Sequence, residues 1–200
     1  MKKLLILLTL WCSTITANAA LITIDVEDKA YDINDTLTAD IYISELENNF
    51  GAQELISLFS FDLIFNENLL DVDNVIFGDK LDVDSFGDPS VRTDTFTAGQ
   101  PFTLGEAASA FFTDLEFAQI GFTNFLLVSV DFTVKGAGLA EFSLNNAEVY
   151  DDFTFLLSSI STQGDRAQLG SQVSVPEPSS MAIFALALLM IMRLTRKAQH

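Results

Sequence analysis

Leu58-Phe59-Ser60-Phe61-Asp62-Leu63-Ile64-Phe65, followed by the turn signal Asn66-Glu67-Asn68, decides the fold class of this chain. Apolar and polar residues alternate with a period of two, so the aromatics share one face while Ser60 and Asp62 share the other. That is the pattern of a half-buried strand, and the Asn pair supplies a turn to end it. The same alternation lies upstream in Leu21–Glu27 and Leu37–Ser44, with β-branched residues throughout. Downstream, Val72–Phe77 reads as a strand and Phe122–Val134 as the longest strand-like run. Lys135-Gly136-Ala137-Gly138 then turns the chain into Leu139–Leu144. Ala147–Tyr150 and Ser171–Val175 read as a last pair that closes the sheet. Glu47–Leu55 and Gly105–Phe117 carry no sustained 3.6-residue stripe and are expected to be loops with at most a turn or two of helix. Eight or nine short strands with no βαβ rhythm predict an all-β, antiparallel two-sheet sandwich, with most of the 18 phenylalanines packed between the sheets.

The two ends belong to a different kind of sequence. Lys2 and Lys3 precede the apolar run Leu4–Trp11, and Ala17-Asn18-Ala19 supplies the small-x-small pattern of a signal-peptidase site. Residues 1–19 therefore read as a signal peptide cut between Ala19 and Ala20. Cys12 lies within the removed part, and the bulky Trp11 before it does not fit a lipoprotein cleavage site. At the other end, Val175-Pro176-Glu177-Pro178-Ser179-Ser180 precedes an apolar run from Met181 to Met192 and the cations Arg193, Arg196 and Lys197. Two prolines hold the first segment extended and remove two backbone donors. The uncharged stretch from Ser179 to Met192 is 14 residues, below the ~17–25 of a comfortable membrane span, which suits a temporary anchor. The cations should stay on the cytoplasmic side. The expected organisation is a signal peptide at 1–19, a sandwich domain at 20–170, and a linker, motif, transmembrane helix and basic tail at 171–200.

Composition narrows the chemistry of the middle. The span from Ala20 to Val175 has no cysteine and no histidine, which excludes Cys- and His-based catalytic devices and zinc sites of the usual ligand types. Lys29, Lys80, Arg92, Lys135 and Arg166 stand against 27 Asp and Glu, a net charge of −22 for the span. Nucleic acid and anionic lipid are poor partners for such a surface. The acidity reads first as a solvated, self-repelling surface and second as divalent-cation binding. Asp71-Val72-Asp73-Asn74 and Asp82-Val83-Asp84-Ser85 with Gly87 and Asp88 are the candidates. The second begins like an EF-hand loop, but Phe86 and Thr93 stand where an oxygen ligand and a bidentate Glu belong. What remains is a looser Ca²⁺ candidate at Asp82, Asp84 and Asp88. No Gly-x-Ser-x-Gly elbow is present, and Gly136–Ala140 is a turn between strands rather than a dinucleotide loop.

The C-terminal order of Val-Pro-Glu-Pro-Ser, short apolar helix and basic end resembles the PEP-CTERM sorting signal of bacteria that make exopolysaccharide. The resemblance implies that Pro176, Glu177 and Pro178 are the motif recognised by an exosortase, a membrane protease that removes the tail. Arg193, Arg196 and Lys197 would be the membrane stop.

A second resemblance covers most of Leu21–Tyr150. The opening Ile-Thr-Ile-Asp strand, Ile33-Asn34-Asp35-Thr36-Leu37-Thr38-Ala39-Asp40-Ile41, Phe59–Leu70 and the pair Val130–Val134 with Gly138–Phe142 are similar to cohesin-like domains. Those are jelly-roll-type sandwiches that serve as binding modules. Together the two resemblances imply an exported, non-catalytic surface or matrix protein. It would be sorted by exosortase and serve adhesion, biofilm or exopolysaccharide association, with polysaccharide or another surface protein as partner. The alternative is a glycan- or calcium-binding module whose loops, chiefly Asp79–Pro101, hold the ligand, with exposed aromatics around Phe96 and Phe102.

Overall fold

The computed structural model describes residues 20–47, 52–83, 89–151, 156–157 and 160–170. The expected signal peptide, sorting motif, membrane helix and basic tail lie outside them, as do Asp84, Asp88 and the strand expected at Ser171–Val175. The described residues form ten strands: β1 (Ala20–Val26), β2 (Thr36–Ser44), β3 (Ile56–Ile64), β4 (Leu70–Phe77), β5 (Val91–Thr95), β6 (Phe102–Ala107), β7 (Phe125–Val134), β8 (Gly138–Asp151), β9 (Ile160–Gln163) and β10 (Asp165–Leu169). One helix, α1 (Phe112–Gln119), lies between β6 and β7. They make two five-stranded sheets, β4-β7-β2-β1-β9 and β10-β8-β3-β6-β5.

Alternation is the reason the sheets stack. Ile22, Ile24, Leu37, Ala39, Ile41, Ile43, Val128, Val130 and Phe132 point inward from the first sheet and Phe59, Phe61, Leu63, Phe102, Leu104, Phe142 and Val149 from the second, all buried. Phe132 meets Phe65 at 4.9 Å between ring centroids and Phe142 at 5.6 Å, which joins the sheets through aromatic contacts. Most of the phenylalanines among the described residues therefore do pack between the sheets. Phe111, Phe117 and Phe122 do not, being 55%, 83% and 47% exposed.

Among the described strands one pairing is parallel. β9 runs alongside β1 with Ala20 opposite Ile160 and Thr23 opposite Gln163. The chain reaches this edge from β8 of the other sheet and returns through Gly164 to pair β10 with β8. A Cβ on Gly164 would lie 2.2 Å from the Phe142 carbonyl oxygen, so only glycine lets the strand cross from sheet to sheet here. Asp165 pins the crossing, its Oδ2 accepting from the Val26 N–H at 2.8 Å. This closes one open side of the sandwich.

Several elements depart from the sequence reading. Leu139–Leu144 and Ala147–Tyr150 are one strand, β8, because Asn146 takes φ 50° and forms a bulge instead of a turn. Its side-chain amide donates to Asp62 Oδ2 at 2.7 Å, which keeps β8 paired with β3 across the irregularity. β5 lies inside the stretch expected to be loop, and all five of its residues are exposed, so it has no apolar alternation to reveal it. β6 occupies the start of the expected Gly105–Phe117 loop and the residues before it; its third inward position is Glu106, which breaks the apolar pattern. The remainder of that loop holds the two turns of α1. β9 and β10, at 160–163 and 165–169, are the last strands among the described residues.

Candidate functional site

The outer face of β10-β8-β3-β6-β5 is largely polar. At its middle Asp62 accepts from Thr103 Oγ1 at 2.7 Å through Oδ1 and from Asn146 through Oδ2. Strand pairing places Ser60 beside Gly105 and Glu148, and Ile64 beside Ser143, on the same face. Toward the β3–β4 turn this face sinks into a depression of about 590 Å³ lined by Ile64, Asn66, Glu67, Asn68, Glu141 and Ser143 among others. A smaller one of about 260 Å³ adjoins it and reaches Gly99, Gln100 and Pro101. Both oxygens of Glu67 accept from the Gly99 N–H, at 3.0 and 3.1 Å, and so tie the two bordering turns together. Both depressions are open to solvent. They can take contacts from another surface but do not enclose a small substrate.

The buried polar cluster lies elsewhere, at the side where β4 and β5 form the two sheet edges. Glu106 projects inward from β6 and is 2% exposed. Arg92 Nε donates to its Oε1 at 2.9 Å, Ser90 Oγ donates to the same oxygen, and Oε2 is buried without a hydrogen-bond partner. Arg92 also reaches Asp82 Oδ2 at 3.0 Å and lies 5.2 Å from the centroid of Phe77 on β4. The cluster therefore bridges the two edges and closes the second side of the sandwich. Burial outweighs the bonds from Ser90 and Arg92 and pushes the Glu106 carboxyl above its ordinary value of 4.5. Its contribution to stability is complete below pH 4.5 and is lost as pH rises through the raised value, because the unfolded chain gives up the proton first. Glu106→Gln is expected to lack that loss, so the melting-temperature difference between wild type and variant should shift in the variant's favour from pH 4 to 7. A difference that stays constant with pH would contradict this assignment.

This geometry answers the candidates of the sequence reading. Asp82 is held by Arg92, with Ser90 Oγ donating to it at 3.3 Å, while Asp84 and Asp88 lie outside the described residues. Asp71 pairs with Lys135, and Asp73 accepts from Thr133. Among the described residues no group of three or more His, Cys, Asp or Glu is placed to hold a metal ion. Phe96 and Phe102 do not form an exposed platform. Phe102 is 1% exposed, and Phe96 is half-buried against it and Phe65, with centroids 5.3 and 5.8 Å away. Two glutamines carry site geometry that no motif announced. Gln119 is fully buried and bonds both backbone groups of Ile56 and the Lys80 carbonyl, while Gln53 bonds the carbonyls of Gln119 and Phe122 and the Gly121 N–H.

Beyond the sandwich, residues 174–197 match the PEP-CTERM protein-sorting motif. This chain carries a PEP-CTERM tail. Pro176, Glu177, Pro178, Arg193, Arg196 and Lys197 all fall within the matched PEP-CTERM residues. No curated protein matches the sequence. The domain preceding the PEP-CTERM tail is cohesin-like in fold. It is similar to a non-cellulosomal cohesin from the archaeon Archaeoglobus fulgidus, at 17% identity and TM-score 0.51 over 77% of this chain and 94% of that one. It is similar to the cohesin module of a Clostridium perfringens family 33 glycoside hydrolase, at 13% and 0.53 over 76% and 98%. The third ScaC cohesin of Acetivibrio cellulolyticus, solved in complex with the ScaB dockerin, gives 11% and 0.56 over 75% and 99%. At such identities the likeness is one of fold.

Proposed function

We propose that this is an exported, non-catalytic surface or matrix protein whose cohesin-like sandwich is a binding module. Residues 1–19 are removed between Ala19 and Ala20, residues 20–170 form the module, and residues 171–200 anchor the precursor in the inner membrane. An exosortase-type protease then recognises Pro176, Glu177 and Pro178 and releases the domain to the cell surface or matrix. There it serves adhesion, biofilm or exopolysaccharide association, with another surface protein or a polysaccharide as partner. The observation that carries the reading is the sorting-motif match at 174–197. The cohesin-like fold and open depressions support binding over catalysis, and the span from Ala20 to Val175 contains no histidine or cysteine for the commonest catalytic pairs. In producing cells stripped of the exosortase-type protease, the chain should retain its tail and accumulate in the inner-membrane fraction. Unchanged delivery to the surface would contradict the proposal.

A further inference from the structure

α1 is built inside out. Leu115 and Gln119, four residues apart, face the sandwich and are 2% and 0% exposed, so Phe117 and Ile120 fall on the opposite ridge at 83% and 57% exposure. A helix held only by its own packing would bury its aromatic residue and expose its glutamine. Here the arrangement is inverted, and polar bonds hold it. Gln119 fastens the helix to β3 and to the Lys80 carbonyl, and Gln53 fastens its end and the Gly121 turn. Phe122, just beyond that turn, is 47% exposed and carries Lys80 Nζ at 4.0 Å from its ring centroid. Adjoining exposed apolar residues held rigid in this way mark an interaction surface, because binding orders little that is not already ordered.

Charge indicates the occupant. Glu116 shares the ridge with Ile120 four residues on, and Asp79, whose side chain is 86% exposed, pairs with Lys80 at 3.5 Å. The Lys80 side chain is only 17% exposed and is turned onto Phe122, so the rim presents carboxylates. A second copy would set these acids against each other on a strongly anionic domain. Lipid is disfavoured by position as well as charge. The chain leaves the described structure at Gly170, whose N–H bonds the Tyr31 carbonyl next to the start of β8. α1 sits at the other end, where β3 and β7 begin, roughly 30 Å from that exit by strand rise.

We propose that the Phe117–Ile120 ridge is a docking surface for a cationic amphipathic segment of a partner protein. The proposal concerns the folded domain and stands whether or not the tail is cut.

The test uses the exported protein purified from producing cells, titrated with a synthetic Leu/Lys amphipathic helical peptide and with a Leu/Glu peptide of the same apolar pattern. The Leu/Lys peptide should bind, more weakly in about 0.5 M salt, and the Leu/Glu peptide should not. The double variant Phe117→Ser/Ile120→Ser, melting like wild type, should raise the Kd by about tenfold or more. Val91→Ser, which removes an exposed apolar residue on β5, should leave it unchanged. Equal loss in both variants, no loss in either, or equal binding of the two peptides would overturn the proposal. So would self-association, or binding to zwitterionic vesicles, that disappears in the double variant, since those results would identify a second copy or lipid as the occupant.

Discussion

Phe132→Ala is expected to lower the unfolding free energy by about 3–5 kcal/mol. Phe132 is 0% exposed on β7, a strand paired on both sides, with Leu37 of β2 and Val72 of β4 opposite it. Its ring touches Phe65 and, across the sandwich, Phe142. Truncation forfeits those contacts and leaves a void that two hydrogen-bonded neighbouring strands cannot collapse to fill. At roughly 2–4 °C per kcal/mol for a domain of this size, the midpoint of a thermal melt should fall by about 10 °C. Phe117→Ala, at the exposed ridge, should stay within about 0.5 kcal/mol of wild type. Equal losses for the two variants would mean that the aromatic contacts between the sheets do not hold the domain together.

The second large effect is expected from a single added methyl group. Gly78 is buried at the end of β4, where its N–H donates to the Leu127 carbonyl at 2.9 Å. A Cβ there would sit 2.0 Å from the Leu126 carbonyl oxygen, an atom of the backbone that cannot rotate away. Leu126 lies where β7 slips register against β2 between Ile41 and Tyr42, so the carbonyl is already displaced from a regular ladder. Gly78→Ala must push β4 off β7 or break the bond to Leu127, at about 3 kcal/mol or more. It should also loosen the Lys80 carbonyl that Gln119 holds two residues later. Proteolysis or hydrogen exchange should therefore report opening at α1 along with the fall in the melt. A variant as stable as wild type would show that β4 ends differently.

The sandwich was legible because its inward positions follow a strict period of two. Phe59, Phe61, Leu63 and Ile22, Ile24 face the core as their alternation requires, and the strands that carry them lie within a residue or two of the expected places. The strands that escaped notice did so for identifiable reasons. β5 is an exposed edge with no buried face, and β6 spends an inward position on Glu106, whose hydrogen-bonding partners Arg92 and Ser90 lie 14 and 16 residues away. Local sequence cannot show that a glutamate is buried when its partners come from another strand. The Asn145-Asn146 pair illustrates the converse, a turn signal used for a bulge because Asp62 stands opposite to receive it. Phenylalanine count alone could not separate core rings from ridge rings either. Phe117 is exposed because Leu115 and Gln119 fix which side of α1 faces inward, and the bonds of Gln119 reach residues 39 and 63 positions away. The sorting tail is the reverse case, legible because its match rests on a short linear motif at 174–197 and not on partners from distant strands.

Delivery of this acidic sandwich by a disposable C-terminal address is the central claim, and intact mass spectrometry of the protein recovered from the cell surface tests it most directly. The mass should correspond to a chain that begins at Ala20 and ends near Pro178. A surface protein that still carries His200 would contradict the account.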